Sequence, residues 1–414
     1  MKIAIIGSGI SGMTAAYLLY QDHEITVFEA NDYVGGHTHT HDVTVQDKQY
    51  AVDSGFIVFN ETTYPNFLML IKKLGVEYQP STMTFSVKSE KTGLEYSPHT
   101  LNTFFIQRKN LLSPSFYCMI QGILRFRSEY DQLLAEDPGN AEVGPFLRER
   151  GYSQSFLENF LIPLGSSLWS ADPRDLEHFP LQTFVTFFKN HGFLEREHPL
   201  EWKVIKGGSR SYIKKLTAPY ADKIRLNARI QRITRHADHV EVLPQHGKPE
   251  KFDHVVLACH SDQALSLLSD PSPAEQAILG AIPYQENLAI LHTDTRILPQ
   301  RSAIWSSWNY LIPQEETGRA ILTYDMNILQ SINTPVEFCV TLNRESGIAK
   351  DKVIGKYLYH HPIYLREAPK NQKRHHEISG KNRTHYCGAY WGYGFHEDGV
   401  NSALAACTYF GKGL

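Results

Sequence analysis

The sequence predicts an α/β protein in which a Rossmann-like nucleotide-binding domain is interrupted by an inserted domain of mixed β-sheet and helix. Three observations lead there. A buried strand, a Gly-rich turn, a helix and a second strand follow one another within the first 29 residues. A long helix-patterned stretch then breaks the chain, and short strand patterns return after it.

In chain order, residues 2–6 read as a buried parallel strand, 10–20 as the helix packed on it, and 24–28 as the second strand. Residues 43–45 and 50–52 alternate around Asp47-Lys48 like a hairpin, and 63–74 carry apolar residues at helical spacing up to Gly75. From about 100 to 191 the pattern is helical, punctuated by Pro114, Pro138, Pro145, Pro163 and Pro173. Gly207-Gly208-Ser209 precedes a helix over 212–221, followed by strands at 224–226, 230–234, 240–243 and 252–257 and a helix over 262–268. Strands are expected again at 288–292, 303–308, 320–324 and 338–342, and a Gly- and aromatic-rich tail over 386–399 leads into a last helix over 400–410.

Composition narrows the function. The 414 residues hold 41 Lys plus Arg against 44 Asp plus Glu, a formal charge of -3, which gives no field for nucleic acid. Hydrophobic residues make up 42%, enough for a large core, and 22 Tyr with 21 Phe can line an apolar channel as well as a core. Cys118, Cys259, Cys339, Cys387 and Cys407 are scattered and odd in number, so neither a disulfide framework nor a zinc site is expected. The first strand begins right after Met1-Lys2, which leaves no room for a secretory signal, and no run of about 18 apolar residues occurs. A cytoplasmic location is the expectation. His360-His361 and His375-His376 suggest no metal, since paired neighbours point apart and no carboxylate completes a site.

The chemistry lies in three Gly-rich motifs. Gly7-Ser8-Gly9-Ile10-Ser11-Gly12 sits between the first strand and its helix, with Glu29 ending the second strand. Gly7 permits the tight turn, Gly9 lets backbone approach a pyrophosphate, Gly12 lets helix and strand pack, and the helix N-terminus faces the phosphate. Glu29 is placed to accept hydrogen bonds from an adenosine ribose and would repel a 2'-phosphate. A second pair, Gly35-Gly36 with His37-Thr38, and then Asp53-Ser54-Gly55-Phe56-Ile57 suit a ligand with a longer diphosphate and ribityl stretch. The third motif, Gly388 to Val400, joins a strand end to a helix start, where N–H groups can stabilise negative charge on a flavin that has taken a hydride.

On these residues the chain resembles the flavin-containing amine oxidase and phytoene desaturase superfamily. It is most similar to a bacterial subgroup of FAD-dependent oxidoreductases often encoded beside cyclopropane-fatty-acid-synthase-like methyltransferases. The words that carry this are Val34-Gly35-Gly36-His37-Thr38, Gly55-Phe56-Ile57-Val58, Val340-Thr341-Leu342-Asn343 and the run from Gly388 to Gly399. The likeness spans the chain and is thin between about 80 and 200.

The resemblance implies an amine-oxidase-like, GR2-type FAD-binding domain made of 1–80, 200–285 and 380–414, with a substrate domain of 81–199 and 286–379. Motifs and resemblance together assign noncovalent FAD to Gly7, Gly9, Ile10, Ser11, Gly12, Glu29, Ala30, Gly35, Gly36, His37, Thr38, Gly55, Phe56, Ile57, Gly388, Glu397, Asp398, Gly399 and Val400. The resemblance adds a backbone contact from Ile230 to the adenine half. Amine oxidases commonly carry Arg where His37 stands, and the Lys that holds water near their flavin N5 has no counterpart motif here. The subgroup implies desaturation of a methyl-branched acyl chain, with hydride passing to flavin N5 and an electron acceptor left open. Two alternatives stand beside it: an amine or polyene oxidase, and a flavin-dependent fatty-acid double-bond isomerase.

For acid or base work the candidates are His396, Glu397 and Tyr393, which the turn brings toward the flavin or uses as its own braces. Tyr390 and Trp391 either wall the substrate site or pack. Within 104–127, Arg108, Lys109, Arg125 and Arg127 flank Leu111, Leu112, Phe116, Tyr117, Met119, Ile120, Ile123 and Leu124 with no acid. That stretch reads either as a peripheral contact with the inner membrane face or as a core helix with a solvated basic edge.

Overall fold

The computed structural model describes residues 1–136, 141–192 and 200–414. Pro138 and the 193–199 part of the expected substrate domain lie outside the described residues.

The opening βαβ forms where its sequence pattern places it. Lys2–Ile6 pairs in parallel with Glu24–Phe28 on one side and His254–Leu257 on the other. Ile224–Arg225 and Thr384–Tyr386 complete a five-stranded parallel sheet at its two edges. Strands from three distant stretches of chain thus share one layer, and the inner runs Ile3-Ala4-Ile5-Ile6 and Val255-Val256-Leu257 are apolar throughout and buried, as a sheet covered on both faces requires. The helix Ile10–Leu19 has nine of its ten residues buried. A helix apolar on every face must be covered on every face, and the C-terminal helix His396–Cys407 supplies the second cover. Gly399 makes that approach close, since a Cβ there would stand 2.6 Å from Ile10 Cγ2.

A second, seven-stranded sheet runs in the order Val353–Pro362, Tyr284–His292, Cys339–Leu342, Ile321–Asp325, Trp308–Ile312, Phe85–Ser89, Glu95–Tyr96. It is antiparallel except where Trp308–Ile312 meets Phe85–Ser89. Tyr284–His292 crosses the expected boundary at 285. Helices Pro114–Glu136, Val143–Glu149, Ile162–Trp169 and Leu181–Asn190 pack beside it around Phe126, Phe156, Phe184 and Leu147. One hydrophobic core runs through sheet and helices together.

Three local expectations change. Residues 303–308 are not a strand: Ser302–Ile304 is a short 3₁₀ turn, and pairing starts at Trp308. Asn309 accounts for this, because its side chain accepts from Ser306 N–H and donates to Ser306 C=O, holding a turn against extension. Residues 252–257 divide between two sheets, at Glu250–Phe252 and His254–Leu257. The last helix starts four residues earlier than expected, at His396. Among the described residues no helix is long and apolar enough to cross a membrane.

Candidate active site

The parallel strands end at a cavity of about 680 Å³ that runs between the two sheets. At one end Gly7 takes φ +104°, and a Cβ there would sit 2.7 Å from the Ala258 carbonyl oxygen. Gly12 allows the helix to lie against this turn, where a Cβ would stand 2.0 Å from the Gly7 oxygen. Gly9 differs: a Cβ on it would meet nothing within 4 Å and would project into open space. The first-turn N–H groups of Ile10, Ser11 and Gly12 have no intrahelical carbonyl to bond. That is a cradle shaped for phosphate.

Gly35 and Gly36 fold onto this cradle with φ of +135° and +59°, and a Cβ on Gly36 would come within 3.1 Å of Gly9 Cα. His37 follows and lines the cavity, its Nε2 buried without a hydrogen-bond partner. Burial pushes its pKa down to about 4, so it is neutral before any anion arrives. Gly55 lies under His37, and Phe56 N–H donates to the His37 carbonyl at 2.7 Å. Phe56, Ile57 and Ala30 also line the cavity.

Glu29 is already engaged. Its Oε2 accepts from Ser8 N–H and Oγ, and its Oε1 from Asn31 N–H. A carboxylate offers about four acceptor positions, which leaves one on Oε1 for a ribose hydroxyl. Ala228 N–H bonds to the Glu29 carbonyl, and this brings Ile230 to the cavity beside it.

At the other end the C-terminal turn corrects several expectations. Gly388 lines the cavity and is held by its N–H to Ser402 Oγ. Glu397 does not face the cavity: its oxygens accept from the N–H groups of Asn66 and Phe67. Those are orphan donors of the helix Pro65–Lys73, whose Tyr64 offers no side-chain cap, so burial of that end requires an acceptor from elsewhere. Asp398 accepts from Tyr393 N–H and Phe395 N–H and braces the turn. Burial pushes its pKa up to about 7, against the pull of those backbone bonds. Gly399 is helix packing against Ile10 and Ser11, and Val400 is core.

His396 lines the cavity, but its Nε2 sits 3.0 Å from Thr38 Oγ1 and 2.9 Å from Tyr212 OH. Its ring stacks on Phe56 at 3.4 Å, and burial takes its pKa well below the usual range. Thr38 therefore positions His396 and does not line the cavity through its side chain. His396 begins a helix whose first N–H groups are free of intrahelical bonds. Tyr393 faces the cavity with a hydroxyl kept protonated by burial. Tyr390 lines the cavity, whereas Trp391 packs against His375 outside it.

Beside this turn, where Trp169 and Phe187 meet Tyr393, the cavity forms a chamber walled by Met83, Leu168, Trp169, Phe187, Trp202, Trp308 and Leu329. None of these was singled out by a motif. They come from separate elements, and each alone reads as core. Among the described residues, Glu29 and Arg229 are the only side chains of Asp, Glu, Lys or Arg that line the cavity, both at the Ile230 end. Sequence spacing also gave no sign of the imidazole cluster beside the phosphate loops. His37 lies 5.3 Å from His361 and 6.1 Å from His260, ring to ring. His361 accepts at Nδ1 from the Asn287 amide, so its proton is on Nε2. The arrangement suits the diphosphate of FAD: open space at Gly9 and helix-start N–H groups at both ends.

The basic amphipathic stretch splits by face. Phe116, Met119, Ile123 and Phe126 are core, while Leu112 is 89% exposed and Leu111, Tyr117 and Leu124 also face outward. Arg125 is committed to Glu129 and to the Arg150 carbonyl. One three-donor cluster occurs among the described residues, His236, His239 and Glu241, on a hairpin outside the cavity.

The profile of the family described as flavin containing amine oxidoreductase matches residues 10–323. Zeta-carotene desaturase of Solanum lycopersicum is 37% identical over 78 residues, 19% of this chain and 13% of that protein. The chain thus matches only a short part of this curated relative. Among solved structures, a CLA-producing fatty acid isomerase from P. acnes superposes with a TM-score of 0.68 at 16% identity, covering 99% of this chain and 98% of that one. Cyclohexylamine oxidase from Brevibacterium oxydans IH-35A superposes with a TM-score of 0.66 at 17% identity, covering 98% of each chain. At such identities these likenesses speak for the fold.

Proposed function

From the premise that the chain belongs to the flavin containing amine oxidoreductase family, we propose that this FAD-dependent oxidoreductase desaturates a methyl-branched or otherwise modified fatty acyl chain. The chamber carries the reading. Met83, Leu168, Trp169, Phe187, Trp202, Trp308 and Leu329 offer an apolar lining with, among the described residues, no carboxylate to meet an ammonium group. An alkyl chain gains there roughly 0.8 kcal/mol per buried CH₂, while a protonated amine would exchange its water for ring faces alone, with no described carboxylate to balance its charge.

Bound FAD supplies the two-electron acceptor, taking hydride at N5. The chain's own residues do the rest. The backbone at Gly9 and Gly36 would hold the diphosphate, Glu29 would take the ribose, and the N–H groups that start the helix at His396 would stabilise developing negative charge. The close walls of the chamber exclude water from the reacting carbons. Attachment of FAD is noncovalent in this reading, since the cavity thiol, Cys259, is kept protonated by burial, its pKa pushed up to about 12. An acyl-chain methyltransferase would supply the branched substrate. The exposed Leu111, Leu112, Tyr117 and Leu124, with the exposed cations Arg108 and Lys109 beside them, suit contact with an anionic lipid surface.

The test is anaerobic mixing of the oxidised protein with phospholipid bearing a methyl-branched alkene. Flavin bleaching with loss of two hydrogens from the acyl chain is expected. A shifted double bond at unchanged mass would replace desaturation by isomerisation, and bleaching by amines alone would overturn the lipid reading.

A further inference from the structure

Of the three candidate acid–base groups of the C-terminal turn, Glu397 caps another helix and His396 Nε2 bonds to two hydroxyls, while Tyr393 faces the cavity with its hydroxyl kept protonated by burial and so offers no base. Among the apolar walls of the chamber stands the imidazole of His191, at the end of the helix Leu181–Asn190. His191 lines the cavity with its ring stacked on Phe187 at 3.8 Å, 5.9 Å from Phe395 and 6.4 Å from Trp202. Its Nδ1 lies 3.0 Å from the Phe187 carbonyl oxygen. A carbonyl only accepts, so Nδ1 carries the proton and Nε2 carries a lone pair. Among the described residues Nε2 has no hydrogen-bond partner.

We propose that His191 is the base of this desaturation, taking the substrate proton on Nε2; the assignment rests on the lipid reading above. Two neighbouring C–H bonds break. One hydrogen leaves as hydride to oxidised FAD, the other as a proton to Nε2, and the electron pair of the second bond becomes the new C=C. Two electrons and one hydrogen nucleus go to the flavin, one proton to the imidazole, and the substrate is two hydrogens lighter. Both charges arise in one dry chamber, so each lowers the cost of the other. Burial holds His191 down to about pKa 4, with the Phe187 carbonyl pulling the other way, so the base is free of its proton at neutral pH. Among the described residues, the charged groups nearest in the chain to its walls are paired, Lys189 with Asp131 and Lys203 with Glu201.

The experiment compares wild type with His191→Ala and His191→Gln as FAD-loaded proteins, following anaerobic flavin reduction by the methyl-branched alkenyl phospholipid. Reduction should slow by about 10²-fold or more in both variants at unchanged flavin content. Added imidazole should restore part of the rate in His191→Ala alone, which a merely structural side chain would not allow. Nitrogen NMR of histidine-labelled wild-type holoenzyme should show His191 as the neutral Nδ1–H tautomer at pH 7. Variants reduced as fast as wild type, or an Nε2–H tautomer, would overturn the assignment while leaving the lipid reading intact. A wild-type protein that the lipid does not bleach overturns both.

Discussion

Glu397 and Phe67, 330 positions apart in sequence, are joined by a hydrogen bond of 2.8 Å from the Phe67 backbone N–H to the Glu397 carboxylate. With the companion bond from Asn66, a carboxylate at the start of the C-terminal helix caps the start of another helix. A carboxylate next to a Gly-rich flavin turn thus has a structural duty.

Glu397→Gln should therefore cost stability and spare chemistry. Loss of the charge-assisted cap is expected to lower the unfolding free energy by about 1–2 kcal/mol, read from the denaturant midpoint of the FAD-loaded protein. The rate of flavin reduction should stay within a few-fold of wild type. A hundredfold loss of reduction rate at normal stability would return Glu397 to the catalytic group.

The phosphate cradle makes a sharper demand. Gly9 is open to the cavity, so a side chain there fills the space that backbone N–H groups offer to a diphosphate. Gly9→Val should fold and purify colourless. Yellow protein with one flavin per chain would remove the cradle from this loop.

Stability should fall in mild acid. His37, His191 and His292 are pushed down by burial to about 4, and His41, His260, His361 and His385 to about 3. Unfolded, they take up protons below about pH 6.5, so the unfolded chain binds more protons and the folded state loses ground as pH drops from 6.5 toward 4. Asp53, Asp325 and Asp398, raised by burial to about 6, about 7 and about 7, act with the opposite sign: their contribution is present below the unfolded carboxylate pKa near 4 and lost as pH rises toward 7. Seven imidazoles outweigh three carboxyls. Denaturant midpoints measured between pH 8 and pH 5 should fall steadily, and a flat or rising profile would contradict the neutral imidazoles.

Membrane contact rests on Leu112, 89% exposed, and on Tyr117 and Leu124 nearby. Wild type should co-sediment with vesicles containing phosphatidylglycerol and bind less at high salt. Leu112→Glu with Leu124→Glu should abolish this without changing flavin content, and undiminished binding would locate the contact elsewhere.

Much of the flavin-binding half was legible because its signals are local. A strand run, a glycine at φ +104° and a buried helix lie within 19 residues of each other, and each constrains only its neighbours. The strand Val353–Pro362 was not legible although it is the longest in the seven-stranded sheet. Its outward positions carry Ile354 and Leu358, both exposed, which erases the alternation that marks a half-buried strand.

The sequence by itself determined the α/β class, the Gly-rich turn between the first strand and its helix, and the acidic residue after the second strand, since each depends on residues close in the chain. Tertiary structure alone decided that Glu397 faces Phe67 and not the cavity, that Thr38 and Tyr212 bind His396, and that His191 meets Trp202 and Phe395 in an apolar chamber. A side chain's role follows from which donors and walls surround it. Those come from elements hundreds of residues away, brought together by burial of surfaces that no local spacing records.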